Sequence, residues 1–242
     1  MKNLLEAKTL VVIGGTSGIG KEIACQAGAL GANLIITGRD ITKLKSVIDE
    51  FKQQSVNIES YLLDAHNEVE LNGFFEKLPP IDHLVSMVGD VMGGGIIEPS
   101  IEVIRDVIES KFFTNLSIGR YAAKKIKDGG SIVFTSGSGG SPSTASASFI
   151  GNQSIKALVE GLAKELAPHI RVNTVAPGWM VTPFWREKDE DEVAATRKYM
   201  EGKIPMGRTG TAEEVAEAYI FMLQNTFITG QQLFVDGGGM LS

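Results

Sequence analysis

Residues 9 to 24, Thr-Leu-Val-Val-Ile-Gly-Gly-Thr-Ser-Gly-Ile-Gly-Lys-Glu-Ile-Ala, constrain the fold more than any other stretch of the chain. The apolar run Leu10 to Ile13 reads as a fully buried strand. Gly14, Gly18 and Gly20 follow directly, and the helical pattern Ile19, Ile23, Ala24, Ala27 begins on top of them. A strand, a glycine turn and a helix aim free backbone N–H groups and the positive end of a helix dipole at one point, which suits a phosphate. One glycine turns the chain, one lets a pyrophosphate approach the backbone, and one lets helix and strand pack closely. Gly14, Thr16, Ser17, Gly18, Ile19 and Gly20 are therefore the candidate cofactor-binding residues of this turn.

The rest of the chain fits that beginning. A length of 242 residues suits one large α/β domain or two small ones, and 43% hydrophobic residues supply a sizeable core. Apolar runs at 34–37, 57–63, 83–88, 131–135, 171–175 and 232–235 alternate with helical stretches at about 18–30, 40–53, 67–77, 100–127, 151–167 and 211–223. That alternation predicts a single-domain, Rossmann-like, doubly wound sheet of seven mainly parallel strands with helices on both faces. The Ser- and Gly-rich stretch 136–147 falls at the C-terminal end of the fifth strand, where open α/β sheets bind ligands. A second irregular stretch runs from Pro177 to about Lys188, with Trp179, Met180, Phe184 and Trp185 giving it an apolar character. Connections of that length are usually functional, so residues from about 177 to 203 are expected to form a substrate lid.

A net charge of -6 without clustered Lys and Arg argues against nucleic acid as a partner. The few apolar residues before Gly14 are too short for a signal peptide, and no apolar run is long enough to span a bilayer. One cysteine, Cys25, excludes an internal disulfide, and His66, His83 and His169 stand at no metal-ligand spacing. The expectation is a soluble, cytoplasmic, metal-independent protein with no membrane contact.

After the second strand stands Thr37-Gly-Arg-Asp40. An acidic residue at that strand end would bond a ribose 2′-hydroxyl and repel a phosphate. Gly38 offers no such repulsion, and Arg39 offers a planar fork for a 2′-phosphate, with Lys43 a helical turn away. NADP(H) is accordingly the expected cofactor.

These motifs resemble the short-chain dehydrogenase/reductase family over nearly the whole chain. The family's T-G-x-x-x-G-x-G turn is matched by Ile13-Gly-Gly-Thr-Ser-Gly-Ile-Gly20, and its fourth strand by Ile81-Asp-His-Leu-Val85. Its C-terminal third is matched by Pro205-Met-Gly-Arg-Thr-Gly210, Glu213-Glu-Val215 and Thr229-Gly-Gln-Gln-Leu-Phe-Val-Asp-Gly-Gly238. The resemblance implies that Asp64 contacts adenine and that Pro177, Gly178 and Thr182 hold the nicotinamide carboxamide. Of the family's Asn-Asn-Ala-Gly signature only Gly89 remains, in Ser86-Met-Val-Gly89. It also implies a homotetramer or homodimer, paired through the helices at 100–127 and 151–167.

The departures lie where the family's chemistry is. Members use an Asn, Ser, Tyr, Lys tetrad, with Tyr as proton donor and Lys holding the nicotinamide ribose. Aligned on Lys156, the Tyr of Y-x-x-x-K falls on Asn152, and the position seven before the Lys is Phe149. The Ser falls on Gly137, flanked by Ser136 and Ser138. The Asn falls on Lys111, with Asn115 one turn further. One reading is an oxidoreductase with a rebuilt site, reducing a small carbonyl or enone. Lys111 supplies the proton and steadies the oxyanion, Lys156 binds the ribose, and Ser136, Ser138 and Asn152 donate hydrogen bonds. The other is a protein that binds NADP(H) and catalyses nothing.

Overall fold

The computed structural model describes residues 3–90, 95–139, 146–186 and 188–241, with the side chain of Phe184 left aside. Seven strands form one parallel sheet: β1 (Thr9–Ile13), β2 (Asn33–Gly38), β3 (Ile58–Leu62), β4 (Ile81–Ser86), β5 (Ile126–Thr135), β6 (Arg171–Pro177) and β7 (Gln232–Val235). Their order is β3-β2-β1-β4-β5-β6-β7. The order reverses beside β1, and that reversal opens the crevice in which such sheets hold ligands.

Alternation along β1 divides the core in two. Leu10 and Val12 face one layer, with Ile23 and Ala27 of α1 (Gly18–Ala29), Leu44 and Phe51 of α2 (Ile41–Gln53) and Tyr219 of the last long helix. Val11 and Ile13 face the other, with Phe74 and Phe75 of α3 (Glu68–Lys77). Successive strand side chains point to opposite faces, so one strand feeds both layers. Burying each large aliphatic side chain contributes about 1.5–3 kcal/mol.

The helix expected over 100–127 ends early. It comprises α4 (Ile101–Ile108), a wider π turn (Glu109–Phe113) and α5 (Thr114–Ala122), and β5 begins at Ile126. Ile126 pairs with Ile81, and the register then slips, so that Ser131 faces His83. Glycine permits this slip: Gly129 has φ +80°, and a Cβ on Gly130 would stand 2.2 Å from the Asp82 carbonyl oxygen. The helix expected over 151–167 instead starts four residues earlier, as α6 (Ala147–Leu166), because Ser146 caps it by accepting from the Phe149 N–H. Part of the stretch expected as a substrate lid is helical: α7 (Glu190–Glu201) is capped by Asp189 and buries none of its residues. The long helices end with α8 (Ala212–Gln224), opened by a capping box between Thr211 and Glu214. Among the described residues, no helix is long and apolar enough to cross a membrane.

The sheet also carries a buried histidine. His83 bonds Ser131 Oγ at 2.9 Å, and burial, with Arg171 adding, pushes its imidazole down to about 4. An unfolded histidine titrates near 6.5, so stability present above that pH is lost as pH falls towards 4. His83→Gln is expected to keep about 2–3 kcal/mol that the parent loses between roughly pH 7 and 4.5. Parallel urea-denaturation stabilities for the two proteins over that range would contradict this origin of acid sensitivity.

Candidate functional site

The crevice at the C-terminal strand ends is a cleft of about 860 Å³. It is built first from the turn between β1 and α1. Gly14 and Gly18 adopt φ of +86° and +52°, a region in which glycine alone is at ease. A Cβ on Gly20 would stand 2.2 Å from the Gly14 carbonyl oxygen, so helix and turn touch backbone to backbone there. Six other helices, α2, α3, α4, α6, α7 and α8, begin with a side chain accepting from their first turn. By contrast, Ser17 makes no side-chain cap on α1, and the first turn of α1 holds no acidic residue. The N-terminal N–H groups of α1 are left for an anion, which suits the diphosphate of a dinucleotide.

The remaining expected cofactor residues surround this turn. Thr16, Ser17, Ile19, Asp64, Gly89, Pro177, Gly178 and Thr182 all line the cleft. Arg39 and Lys43 line it too, with Arg39 exposed, while Asp40 between them is occupied in capping α2 through the N–H groups of Thr42 and Lys43. From the segment after β6 come Trp179, Met180 and Trp185. The two indoles stack with ring centroids 5.9 Å apart, and Trp185 Nε1 donates to the Met180 carbonyl at 3.0 Å.

At the inner end stands Lys111, carried by the π turn and only 4% exposed. Its Nζ donates to Asn152 Oδ1 at 3.0 Å, and Asn152 Nδ2 donates to the Gly139 carbonyl at 3.3 Å. Burial pulls the Lys111 pKa down to about 8, against the weaker opposing pull of the Asp90 carboxylate. Two glycines make room for this pair. A Cβ on Gly151 would meet Lys111 Cδ at 2.5 Å, and one on Gly137 would meet Asn152 Nδ2 at 3.0 Å. Behind Lys111, wholly buried Asn115 donates to the carbonyls of Lys111 (2.8 Å) and Val88 (3.0 Å) and accepts from Ser86 Oγ. It ties the π turn to the end of β4.

Two expected catalytic residues do not reach the cleft. Lys156 points away: its side chain is 52% exposed and its Nζ lies 4.0 Å from Glu160. Ser138 is also absent from the lining, and its backbone N–H bonds the Pro177 carbonyl. Ser136 does line it, with its hydroxyl donating to the Val175 carbonyl at 3.3 Å. On α6 the cleft-facing pair one turn apart is Ser148 and Asn152, rather than Asn152 and Lys156. The four-residue spacing of Tyr and Lys in the family motif is thus met a turn earlier than an alignment on Lys156 sets it. Ser148 and Asp90 escape sequence reasoning, since neither belongs to a motif of its own. Of the loop 136–147, residues 140–145 lie outside the described residues, as does the Phe184 side chain.

None of the four tyrosines lines the cleft. Tyr219 bonds the cleft-lining Thr135 at 2.7 Å, but it is fully buried, and burial pushes its phenol far above the ordinary value.

Comparison with known proteins adds a lineage. A family model described as Enoyl-(Acyl carrier protein) reductase matches residues 14–239. A protein named Short-chain dehydrogenase/reductase fsr5, from Gibberella fujikuroi, is 31% identical, covering 98% of this chain and 96% of its own. The 3-oxoacyl-[acyl-carrier-protein] reductase FabG of Rickettsia bellii is also 31% identical, covering 98% of each. A solved small-chain dehydrogenase in complex with NADPH superposes with a TM-score of 0.81 at 30% identity, over 98% of this chain and 100% of that one.

Proposed function

The chain belongs to the short-chain dehydrogenase/reductase family of oxidoreductases, and from that premise we propose that it is an NADP(H)-dependent reductase of small carbonyl or enone substrates, with Lys111 in place of the family's phenol. The observation that carries this reading is a buried amine, 3.0 Å from a neutral amide, in a cleft that no tyrosine lines. When bound, NADPH supplies the hydride.

The chain's own residues would do the rest. The turn from Gly14 to Gly20 holds the diphosphate, Arg39 the 2′-phosphate and Asp64 the adenine. Pro177, Gly178 and Thr182 meet the nicotinamide carboxamide. The Lys111 ammonium offsets negative charge growing on the substrate oxygen and gives it a proton. Asn152 is a positioning residue that fixes the amine. The segment from about 177 to 203 acts as a lid, its stacked indoles selecting flat or apolar substrates. As an assembly, a homodimer or homotetramer fits the exposed Phe227, Phe234 and Leu241.

Fluorescence titration and NADPH oxidation with a panel of ketones and enones test this reading. NADPH is expected to bind more tightly than NADH, and Arg39→Ser to weaken NADPH about ten-fold or more while leaving NADH unchanged, as expected for a charge-assisted contact of roughly 1.5–3 kcal/mol. Equal affinity for both cofactors would remove Arg39 from recognition. Tight NADPH binding without turnover on any carbonyl would instead identify a binding protein.

A further inference from the structure

We propose that Lys111 is also a covalent acceptor for aldehydes, its amine condensing with an aldehyde carbonyl in the cleft to give an imine. This rests on the same cleft as the reductase reading but requires neither cofactor nor hydride. The nitrogen lone pair forms the C–N bond, a proton moves from nitrogen to oxygen, and the carbinolamine loses water. The products are one imine and one water, and no redox change occurs. Hydrolysis reverses it.

The setting of the amine supports this chemistry. Most paired lysines here face a carboxylate: Lys8 and Lys127 meet Asp82, Lys21 meets Glu50 and Lys188 meets Glu192, all within 3.1 Å. Such partners supply a countercharge. Lys111 is instead held by the carbonyl of a neutral amide, which bonds the amine without supplying a countercharge. Its stem is fixed between helix and loop, since Cβ atoms on Gly151 and Gly89 would stand 2.5 Å and 3.2 Å from its Cδ and Cγ. The amine is therefore presented at one place in the cleft rather than sweeping through solvent.

Among the described residues, Asp90 is the charged group whose field acts on the amine, and α6 faces it with uncharged Gly151 and Asn152. Burial outweighs Asp90, so a sizeable fraction of the amine is neutral near pH 8. Neutral amine is the nucleophile, and desolvation activates lysines in this way elsewhere. Asp90 lines the same cleft.

The test uses the full-length protein without nucleotide, incubated with hexanal or benzaldehyde and sodium cyanoborohydride, followed by peptide mass mapping. At about pH 7.5, Lys111 is expected to be alkylated at least ten-fold faster than the average exposed lysine, with the rate levelling off above about pH 8. Asn152→Leu, which removes the amide that holds the amine, is expected to slow labelling at Lys111 while surface lysines label as before. Labelling of Lys111 no faster than the surface lysines would overturn the proposal. NADPH-dependent reduction could survive that result, and imine formation could survive a failure of NADPH turnover, so the two readings fail separately.

Discussion

Lys111→Met is expected to lower carbonyl reduction by about 10²–10⁴-fold, the range associated with a positioned general acid, while raising thermal stability. Both effects come from one fact: an ammonium has been taken out of water without a carboxylate to bond it. Folding carries its pKa from the ordinary 10.5 down to about 8. Below about pH 8 the amine is charged in both states, and the full burial cost, roughly 3 kcal/mol, falls on the folded protein. That cost fades as pH rises from 8 towards 10.5, where the folded chain sheds its proton first. Methionine, an unbranched apolar side chain, adapts readily to such a slot. At neutral pH the variant should therefore melt roughly 6–12 °C higher, at about 2–4 °C per kcal/mol for a chain of this size. The gain should shrink above about pH 8, and the parent's reduction rate should decline over the same pH range as the acid form is lost. NADPH affinity should be little changed. A variant that is equally active, or no more stable at neutral pH, would detach Lys111 from the proton transfer or from the buried cost respectively.

Gly20→Ala is the second large effect. The added methyl would stand 2.2 Å from the Gly14 carbonyl oxygen and 3.2 Å from Met87 Cγ. A backbone oxygen cannot swing aside as a side chain does, so α1 must lift from the turn. Displacing its N-terminal N–H groups by about 1 Å breaks the cradle on which phosphate contact depends. NADPH binding measured by calorimetry should weaken by two orders of magnitude or more, with a stability loss of about 1–3 kcal/mol from overpacking. Gly73→Ala on α3 is the control, since a Cβ there meets nothing within 4 Å and helix propensity favours alanine by about 1 kcal/mol. Undiminished NADPH affinity in Gly20→Ala would mean that this contact does not shape the site.

What is legible in the sequence follows from how local each signal is. The β1–turn–α1 unit is readable because Leu10 to Ile13, the glycines and Ile19 to Ala27 carry their pattern within about twenty residues. The parallel sheet is readable because buried strands leave unbroken apolar runs. The segment Lys124 to Gly130 hides the start of β5, since its charges and glycines look like a helix end, and only the register slip against Ile81 and His83 explains them. α7 leaves no mark because a helix that buries nothing needs no apolar stripe. The misplaced Lys156 has a related cause. Ser148 and Asn152 face the cleft but match neither letter of Y-x-x-x-K, so the nearest lysine draws the motif one turn too far along α6. Lys111 and Asn152 each stand out in the sequence, but their pairing does not, because the contact spans 41 residues of chain.

The exposed α7 carries a consequence for how such a protein changes over generations. None of its side chains is needed to keep the sheet standing. Replacement of residues along it should leave the scaffold intact while altering the part of the cleft wall that Glu192, Val193 and Thr196 supply. The wall of the cleft can then drift or be selected independently of foldability, with the nucleotide turn and the buried amine left unchanged.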